Sequence, residues 1–195
     1  MLAESLLLLA TGLAMTLVIY WNHPEVVTVS RASCHGANRI IFPSFMACAL
    51  AVTSFIVART FAIAYHPGRR GLWLLCAAAM GFAFVVPLHC SSLVTVCEAK
   101  QLHVAVASGA LIGLLLHCVL LHLATPSRRS GGWLIRCSLV VLSVITLCMG
   151  ALYAAPSELS DARVAFAVLE LLLVLCGTLT FLLLHAMIRV AGPLS

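Results

Sequence analysis

The chain carries very little charge for its length. Only 9% of its 195 residues are charged, whereas 63% are hydrophobic, and the mean hydropathy is +1.15. A soluble domain needs far more polar surface than this to stay in water. The composition therefore excludes a soluble globular protein. It predicts an all-α, polytopic membrane protein that forms a single domain over residues 1–195.

Other features are missing as well, and two of these absences exclude classes of site. The nine cysteines contain no C-x-x-C pair, so the sequence indicates neither a zinc site nor a redox motif, and we expect no metal or cofactor. The net charge of +5 is scattered rather than gathered in a basic cluster with aromatic residues, so nucleic acid is not an expected partner. No N-x-S/T acceptor for N-glycosylation is present.

The hydrophobic residues form six segments, each long enough to cross a bilayer core of about 30 Å at about 1.5 Å per residue. The first segment has no Lys or Arg before it and no small-residue cleavage site after it, so we interpret it as a retained helix rather than a signal peptide. The segments are about Leu2–Tyr20, Ile40–Tyr65, Leu72–His89, Leu102–Ala124, Trp133–Ala155 and Val164–Val190.

The basic residues predict that both termini are cytosolic, an N-in/C-in topology. Cytosolic loops are enriched in Lys and Arg. With this orientation the cytosolic side holds seven basic residues and the other side holds four. The cytosolic set is Arg59, Arg69, Arg70, Arg128, Arg129, Arg136 and Arg189, and the other set is Arg31, Arg39, Lys100 and Arg163.

Three cysteines, Cys34, Cys90 and Cys97, fall on the side opposite the termini. If that side is a lumen, one disulfide among them is expected, most simply Cys90–Cys97.

Gly109 and Gly113 form a G-x-x-x-G sequence in the fourth segment, which lets another helix approach closely. Packing inside the bundle is the favoured interpretation of this pair, and contact with a partner helix is the alternative.

Glu170 is the single acid inside the last apolar segment, and such a costly charge is a functional-site hypothesis by default. It lies about 10 Å below the luminal surface, counted at about 1.5 Å per residue. His103, His89 and Ser44 lie within about two turns of the same leaflet, whereas Arg59 lies toward the opposite one. Glu170 either accepts a hydrogen bond that fixes its helix, or orients a histidine that acts as general base toward a hydroxyl or a lipid ester.

The histidines suggest a remote alternative, a membrane cytochrome with two b-type haems. His103 and His117 are 14 residues apart on one segment, about 21 Å of rise and about 40° of rotation. His89 would complete one ligand pair, and His66 or His185 the other. Eight histidines in six helices often produce such a spacing by chance, so this hypothesis ranks low.

Four short stretches carry a resemblance to a known family. They are Phe166–Glu170, with the sequence F-A-V-L-E; Cys34, Asn38 and Pro43-Ser44 in the first loop and the start of the second helix; Arg59–Pro67, with His66 near its end; and Glu98, which follows Cys97 where the family has histidine. The chain resembles the DRAM/Frag/Sfk family of six-helix membrane proteins. It is most similar to the Frag branch, the post-GPI-attachment proteins, although two extra residues separate Asn38 from Pro43.

The resemblance implies lipid remodelling of GPI-anchored proteins at the luminal leaflet, in the Golgi membrane first and the ER membrane next. Membrane lipid and GPI-anchored proteins would be the partners. In an enzyme, Glu170 would orient or accept a proton, His103 or His89 would be the base, and Ser44 or Cys34 would carry an acyl group. The sequence leaves open whether the protein is an acyltransferase or a carrier. The DRAM branch supplies the alternative, a non-enzymatic endosomal or lysosomal protein that modulates autophagy.

Overall fold

The structure is a computed structural model that describes residues 2–22, 29–125, 132–154 and 160–191. Most of these residues lie in helices, the rest lie in turns, bends and short irregular connections, and no strand occurs among them. The all-α prediction is therefore confirmed, and each apolar segment of the sequence coincides with a helix or, for the third, with two. The helices are α1 (Leu2–Asn22), α2 (Val29–Ala32), α3 (Asn38–Ala64), α4 (Arg69–Ala83), α5 (Val85–Leu93), α6 (Lys100–Ala124), α7 (Gly132–Ala154) and α8 (Ser160–Ala191).

Four stretches of helix in the described part of the chain are long and apolar enough to cross a membrane, as an integral membrane protein requires. Their outer faces carry large exposed apolar side chains, such as Leu72 and Leu116, which suit contact with lipid. The four stretches are Asn38–Ala64, Arg69–Leu93, Lys100–Ala124 and Val168–Val190. Helices α1 and α7 contain shorter apolar stretches, Leu6–Val18 and Arg136–Ala151.

The third apolar segment is interrupted at Phe84, between α4 and α5. Pro87 explains the interruption, because a proline has no N–H to donate and its ring clashes with the carbonyl four residues earlier. That carbonyl belongs to Ala83, the last residue of α4. Proline is tolerated in the first turn of a helix, which is where Pro87 lies in α5.

Helices α3 and α8 run in the direction opposite to α1. Glu4, near the start of α1, contacts Arg59 and Arg189, which lie near the ends of α3 and α8. We call this the Glu4 end of the bundle. At the opposite end, where α3 and α6 begin, a disulfide joins Cys34 to Cys97, and we call this the disulfide end.

The disulfide corrects the expected Cys90–Cys97 pairing. Cys34 and Cys97 both lie in turns, and their Cα atoms are 6.1 Å apart. Cys90 belongs instead to the last turn of α5, where its carbonyl accepts a hydrogen bond from the N–H of Val94 at 2.9 Å. Because this helical turn holds Cys90 on α5, Cys97 pairs with Cys34 instead, and Cys90 remains a free thiol.

The two glycines of the G-x-x-x-G sequence have different surroundings. A Cβ atom added to Gly113 would lie 2.6 Å from the Cβ of Phe84, so Gly113 lets α6 pack closely where α4 and α5 meet. A Cβ atom on Gly109 would meet no atom within 4 Å, and this residue is exposed. Gly113 therefore serves packing inside the bundle, whereas the role of Gly109 toward a partner helix stays a prediction.

Gly113→Ala is expected to destabilise the protein by about 1–3 kcal/mol, because the added methyl group overpacks the contact with Phe84. Gly109→Ala is the matched control and is expected to leave stability unchanged or to raise it by up to about 1 kcal/mol, because alanine favours a helix over glycine and the added methyl group meets no atom. Thermal unfolding of both variants in the same detergent measures the difference. Equal destabilisation by the two substitutions would contradict the assignment of Gly113 to the interior.

Candidate functional site

The disulfide end brings together three residues that the sequence singled out, Cys34, Asn38 and Glu98. The disulfide of Cys34 connects loops that are 63 residues apart in sequence. Asn38 is fully buried, and its Nδ2 donates a hydrogen bond to the carbonyl of Ala32 at 3.2 Å. Glu98 forms an ion pair with Arg39, the residue after Asn38. The two loops are thus held to each other by a covalent bond and an ion pair.

The two histidines proposed as bases also lie near this end. His103 is buried, and its Nδ1–H donates to the carbonyl of Val94 at 2.7 Å. In a neutral ring this bond leaves the lone pair on Nε2, so His103 can accept a proton there. The Nδ1 atom of His89 is buried and has no hydrogen-bond partner within the described residues. Each histidine therefore retains a ring nitrogen that is not committed to a backbone carbonyl.

Ser44 and Glu170 complete the predicted catalytic group. Ser44 is exposed on α3, and its hydroxyl donates to the carbonyl of Ile40 at 2.8 Å, a local bond typical of a serine in a helix. Glu170 is half-buried on α8, one turn before Leu173, which belongs to a buried cluster between α7 and α8. Because the hydrogen bonds of Ser44 and His103 both go to backbone carbonyls, the structure does not join these two side chains as nucleophile and base.

The other motif residues are spread along α3 and the turn after it. Pro43 lies inside the helix near its start. His66 is exposed in the turn that follows the helix, and its Nδ1–H donates to the carbonyl of Pro67 at 2.9 Å. Arg59 pairs with Glu4. Its carboxylate partner therefore comes from α1, at the end of the bundle opposite the disulfide.

A second polar group lies buried between the helices nearer the Glu4 end. It contains His117 and His185, which the sequence analysis paired only as haem ligands. The Nε2 atoms of His117 and His185 are 3.0 Å apart. His185 Nδ1 lies 2.8 Å from the hydroxyl of Thr60, which also accepts from Nε of Arg189 at 2.8 Å. At the other end His117 Nδ1 lies 2.6 Å from the carbonyl of Ala77. We call these five residues the histidine chain.

The two ends of the histidine chain determine every donor and acceptor within it for neutral rings. The Ala77 carbonyl only accepts, so His117 carries its proton on Nδ1 and accepts on Nε2 from the Nε2–H of His185. His185 Nδ1 then accepts from the hydroxyl of Thr60, whose oxygen accepts from Arg189, which only donates. Every bond is satisfied without ionising either ring. Because the chain ends on a carbonyl, it does not relay protons past Ala77.

Dry, tight packing encloses the histidine chain. His117, His185 and Thr60 are each at most 2% exposed, and the gaps around the two rings are too small to hold a water molecule. A Cβ atom added to Gly81 would lie 2.8 Å from His117 Cε1, so this glycine allows the ring to approach α4. Unpaired polar groups are costly in such surroundings, which makes the completeness of the chain important for stability.

An ion-paired group continues from the histidine chain to the Glu4 end. Arg189 donates from Nη1 to Glu4 Oε2 at 2.7 Å and from Nη2 to the carbonyl of Ile56 at 2.9 Å. Arg59 pairs with the other oxygen of the same carboxylate. Buried charges are tolerated when they are paired and hydrogen-bonded in this way. The group ties α1, α3 and α8 together.

The histidine pair does not fit the haem hypothesis in this arrangement. A metal held between two imidazole nitrogens needs about 4 Å between them, two bonds of about 2.0–2.1 Å. The two Nε2 atoms are 3.0 Å apart and bond to each other, and the surrounding space has no slot for a haem ring. Within the described residues no group of three or more His, Cys, Asp or Glu side chains is arranged to hold a metal ion.

The sequence analysis found the depth of Glu170 by counting residues from the end of its helix. The same count would also have indicated the histidine chain. Thr60, His117 and His185 lie four, seven and six residues before the ends of α3, α6 and α8. Helices that end on the same side of a bundle bring residues at similar distances from those ends to a similar depth. Three polar residues at one depth in apolar helices are therefore a signal that the sequence contained.

The fold and the buried polar groups define an all-helical protein whose helices suit a membrane and are joined by hydrogen bonds inside the bundle. Comparison with known protein families, with curated proteins and with solved structures found no match to this chain. The resemblance to the DRAM/Frag/Sfk family therefore stays a prediction.

Proposed function

We propose that this protein takes part in lipid remodelling of GPI-anchored proteins, at the luminal leaflet of the Golgi membrane or, next in order, of the ER membrane. The observation that carries the proposal is the arrangement at the disulfide end. The resemblance includes Cys34 and Asn38 in one region of the chain and Glu98 in another. The Cys34–Cys97 disulfide and the Arg39–Glu98 ion pair hold these two regions together. A disulfide also suits a lumen, because structural disulfides persist in oxidising compartments.

The proposed topology has six membrane-spanning helices with both termini in the cytosol. Helices α1 and α7 supply the two spans beyond the four long apolar stretches. The contact between Glu4 and Arg189 supports an even number of spans, because it joins the start of α1 to the end of α8. The excess of basic residues on the side of the termini supports the orientation.

The proposed chemistry uses a base and a hydroxyl at the luminal end. Nε2 of His103 is oriented as a proton acceptor by the bond from Nδ1 to Val94, and His89 is the alternative base. Ser44 is exposed on the outer face of α3, where a lipid substrate can reach it. Cys34 does not fit the expected role of acyl carrier, because its sulfur is in the disulfide. Glu170 orients or accepts the proton.

In cells deleted for the gene, Glu170→Gln and Ser44→Ala are expected to leave a GPI-anchored reporter with unremodelled lipid and reduced surface retention. The measurements are the lipid composition of the anchor and the surface level of the reporter, at matched protein levels. Ser143→Ala is the matched control, because Ser143 is also exposed on a helix and donates to a carbonyl four residues earlier at 2.8 Å. Normally remodelled anchors with both test variants would refute the catalytic assignment and leave Glu170 as a packing residue.

The location of a tagged copy separates the proposed function from the autophagy alternative. Golgi or ER staining, with altered anchors in the deleted cells, agrees with remodelling. Endosomal or lysosomal staining, with normal anchors in the deleted cells, would replace it with the DRAM-like function. Transfer of a labelled acyl group to lyso-GPI by the purified protein would distinguish an enzyme from a carrier.

A further inference from the structure

A groove runs along the outside of the bundle between α1 and α3, beginning near the Glu4 end. Its volume is about 320 Å³, within the range of small-molecule sites in proteins. The groove is open on its outer side, and apart from the Glu4 carboxylate its lining side chains are apolar. They are Ala3, Glu4, Leu7, Ala51, Val52 and Phe55.

A basic side chain lies at the end of this groove. Ala51, Phe55 and Arg59 are spaced by four residues on α3, so they follow one another along one face of the helix. Arg59 thus lies one turn beyond the lining residue Phe55, at the level of Glu4, with which it pairs. The groove therefore combines an apolar channel with a cation at its end.

Of the two arginines that contact Glu4, one has an exposed charge. The two arginines, Arg59 and Arg189, share the single carboxylate of Glu4. The side chain of Arg189 is only 5% exposed and bonds Thr60, Glu4 and a backbone carbonyl. The side chain of Arg59 is 48% exposed. The excess charge is therefore presented by Arg59, because Arg189 is enclosed.

We propose that the groove binds an acyl chain of an anionic phospholipid whose headgroup phosphate bonds to Arg59. A guanidinium binds phosphate through paired N–H groups, and basic residues near a membrane surface attract anionic lipids. The lining residues span about one helical turn on each helix, about 6 Å, so the groove holds the few methylene groups of the chain that lie next to the headgroup. This site goes beyond the proposed remodelling function and lies at the end of the bundle opposite to Ser44 and His103, so each proposal can fail without the other.

The preference for an anionic headgroup is tested by native mass spectrometry of the full-length protein in detergent. Phosphatidylglycerol and phosphatidylcholine with identical acyl chains are the two probes. The wild-type protein is expected to bind phosphatidylglycerol about fivefold more tightly, and Arg59→Gln is expected to abolish this preference. Arg136→Gln, which removes an exposed arginine of α7 outside the groove lining, is expected to retain it. Equal binding of both lipids by the wild type, or an unchanged preference in Arg59→Gln, overturns the assignment of the headgroup to Arg59.

The position of the acyl chain is tested with Ala51→Phe, which fills the groove and leaves all three charged residues in place. This variant is expected to weaken binding of both lipids at least fivefold, whereas Ala105→Phe, at an exposed position on α6, is expected to bind as the wild type does. If Arg59→Gln fails to fold, Ala51→Phe still tests the site. Unchanged binding by Ala51→Phe, or displacement of the lipid by inorganic phosphate alone, overturns the proposed lipid site.

Discussion

Cys34→Ser is expected to lower the free energy of unfolding by about 4 kcal/mol, the loop-closure value for a disulfide that spans 63 residues. The reason is that the cross-link between Cys34 and Cys97 restricts the unfolded chain. Helices that stay inserted in the membrane restrict it too, so this value is an upper limit. The measurement is thermal or denaturant unfolding in detergent, with the disulfide state of each sample checked by mobility in non-reducing gels.

The control for this prediction is Cys90→Ser, which is expected to leave both stability and mobility unchanged because the Cys90 thiol is free. Cys97→Ser and the double variant Cys34→Ser/Cys97→Ser are expected to match Cys34→Ser, since all three remove the same bond. A large effect of Cys90→Ser together with a small effect of Cys34→Ser would restore the pairing that the sequence suggested. The experiment thus decides directly between the two disulfides.

His117→Ala is expected to destabilise the protein by about 3 kcal/mol. The substitution removes the bonds to Ala77 and His185, and hydrogen bonds inside membrane proteins contribute about 0.6–1.7 kcal/mol each. It also opens a cavity in a tightly packed region and leaves the Nε2–H of His185 without an acceptor. Unfolding in the same detergent measures the loss. His66→Ala is the matched control, because this histidine is exposed and bonds only to its neighbour's carbonyl, and we expect almost no change.

A double-mutant cycle isolates the bond between the two rings. His117→Ala and His185→Ala together are expected to cost about 1 kcal/mol less than the sum of the single variants, because each single variant already breaks the shared bond. Strictly additive losses would show that the rings do not depend on each other. Such a result would reduce the histidine chain to two independent packing contacts.

The histidine chain and the histidines near the disulfide end have different chemical characters. His117 and His185 are enclosed, fully bonded and separated from solvent, which suits a structural role. His103 and His89 keep uncommitted ring nitrogens near loops that a disulfide holds in place. For this reason we assign the proposed chemistry to the disulfide end, although the more extensive hydrogen bonding lies toward the Glu4 end.

Only part of the candidate site could be predicted from the sequence. Cys34, Asn38 and Glu98 came from the family resemblance, and the structure groups them at one end of the bundle. The bond from His103 to Val94 and the ion pair between Arg39 and Glu98 were not predicted. They depend on how the α5–α6 turn folds back, and no local pattern of the sequence encodes that geometry.

The sequence by itself determined the class of the protein and the approximate positions of its long helices, but neither the break at Phe84 nor the short helix α2. Burial of hydrophobic residues and satisfaction of backbone hydrogen bonds act along each segment separately, so a long apolar run predicts a helix without knowledge of its neighbours. The partners of individual side chains, including the Cys34–Cys97 bond, the contacts of Glu4 with Arg59 and Arg189, and the His117–His185 pair, were decided only by the tertiary structure. Helices that are apolar on nearly every face do not specify which face meets which neighbour. Their rotation and register are set by small residues and a few polar contacts that form only when the helices pack.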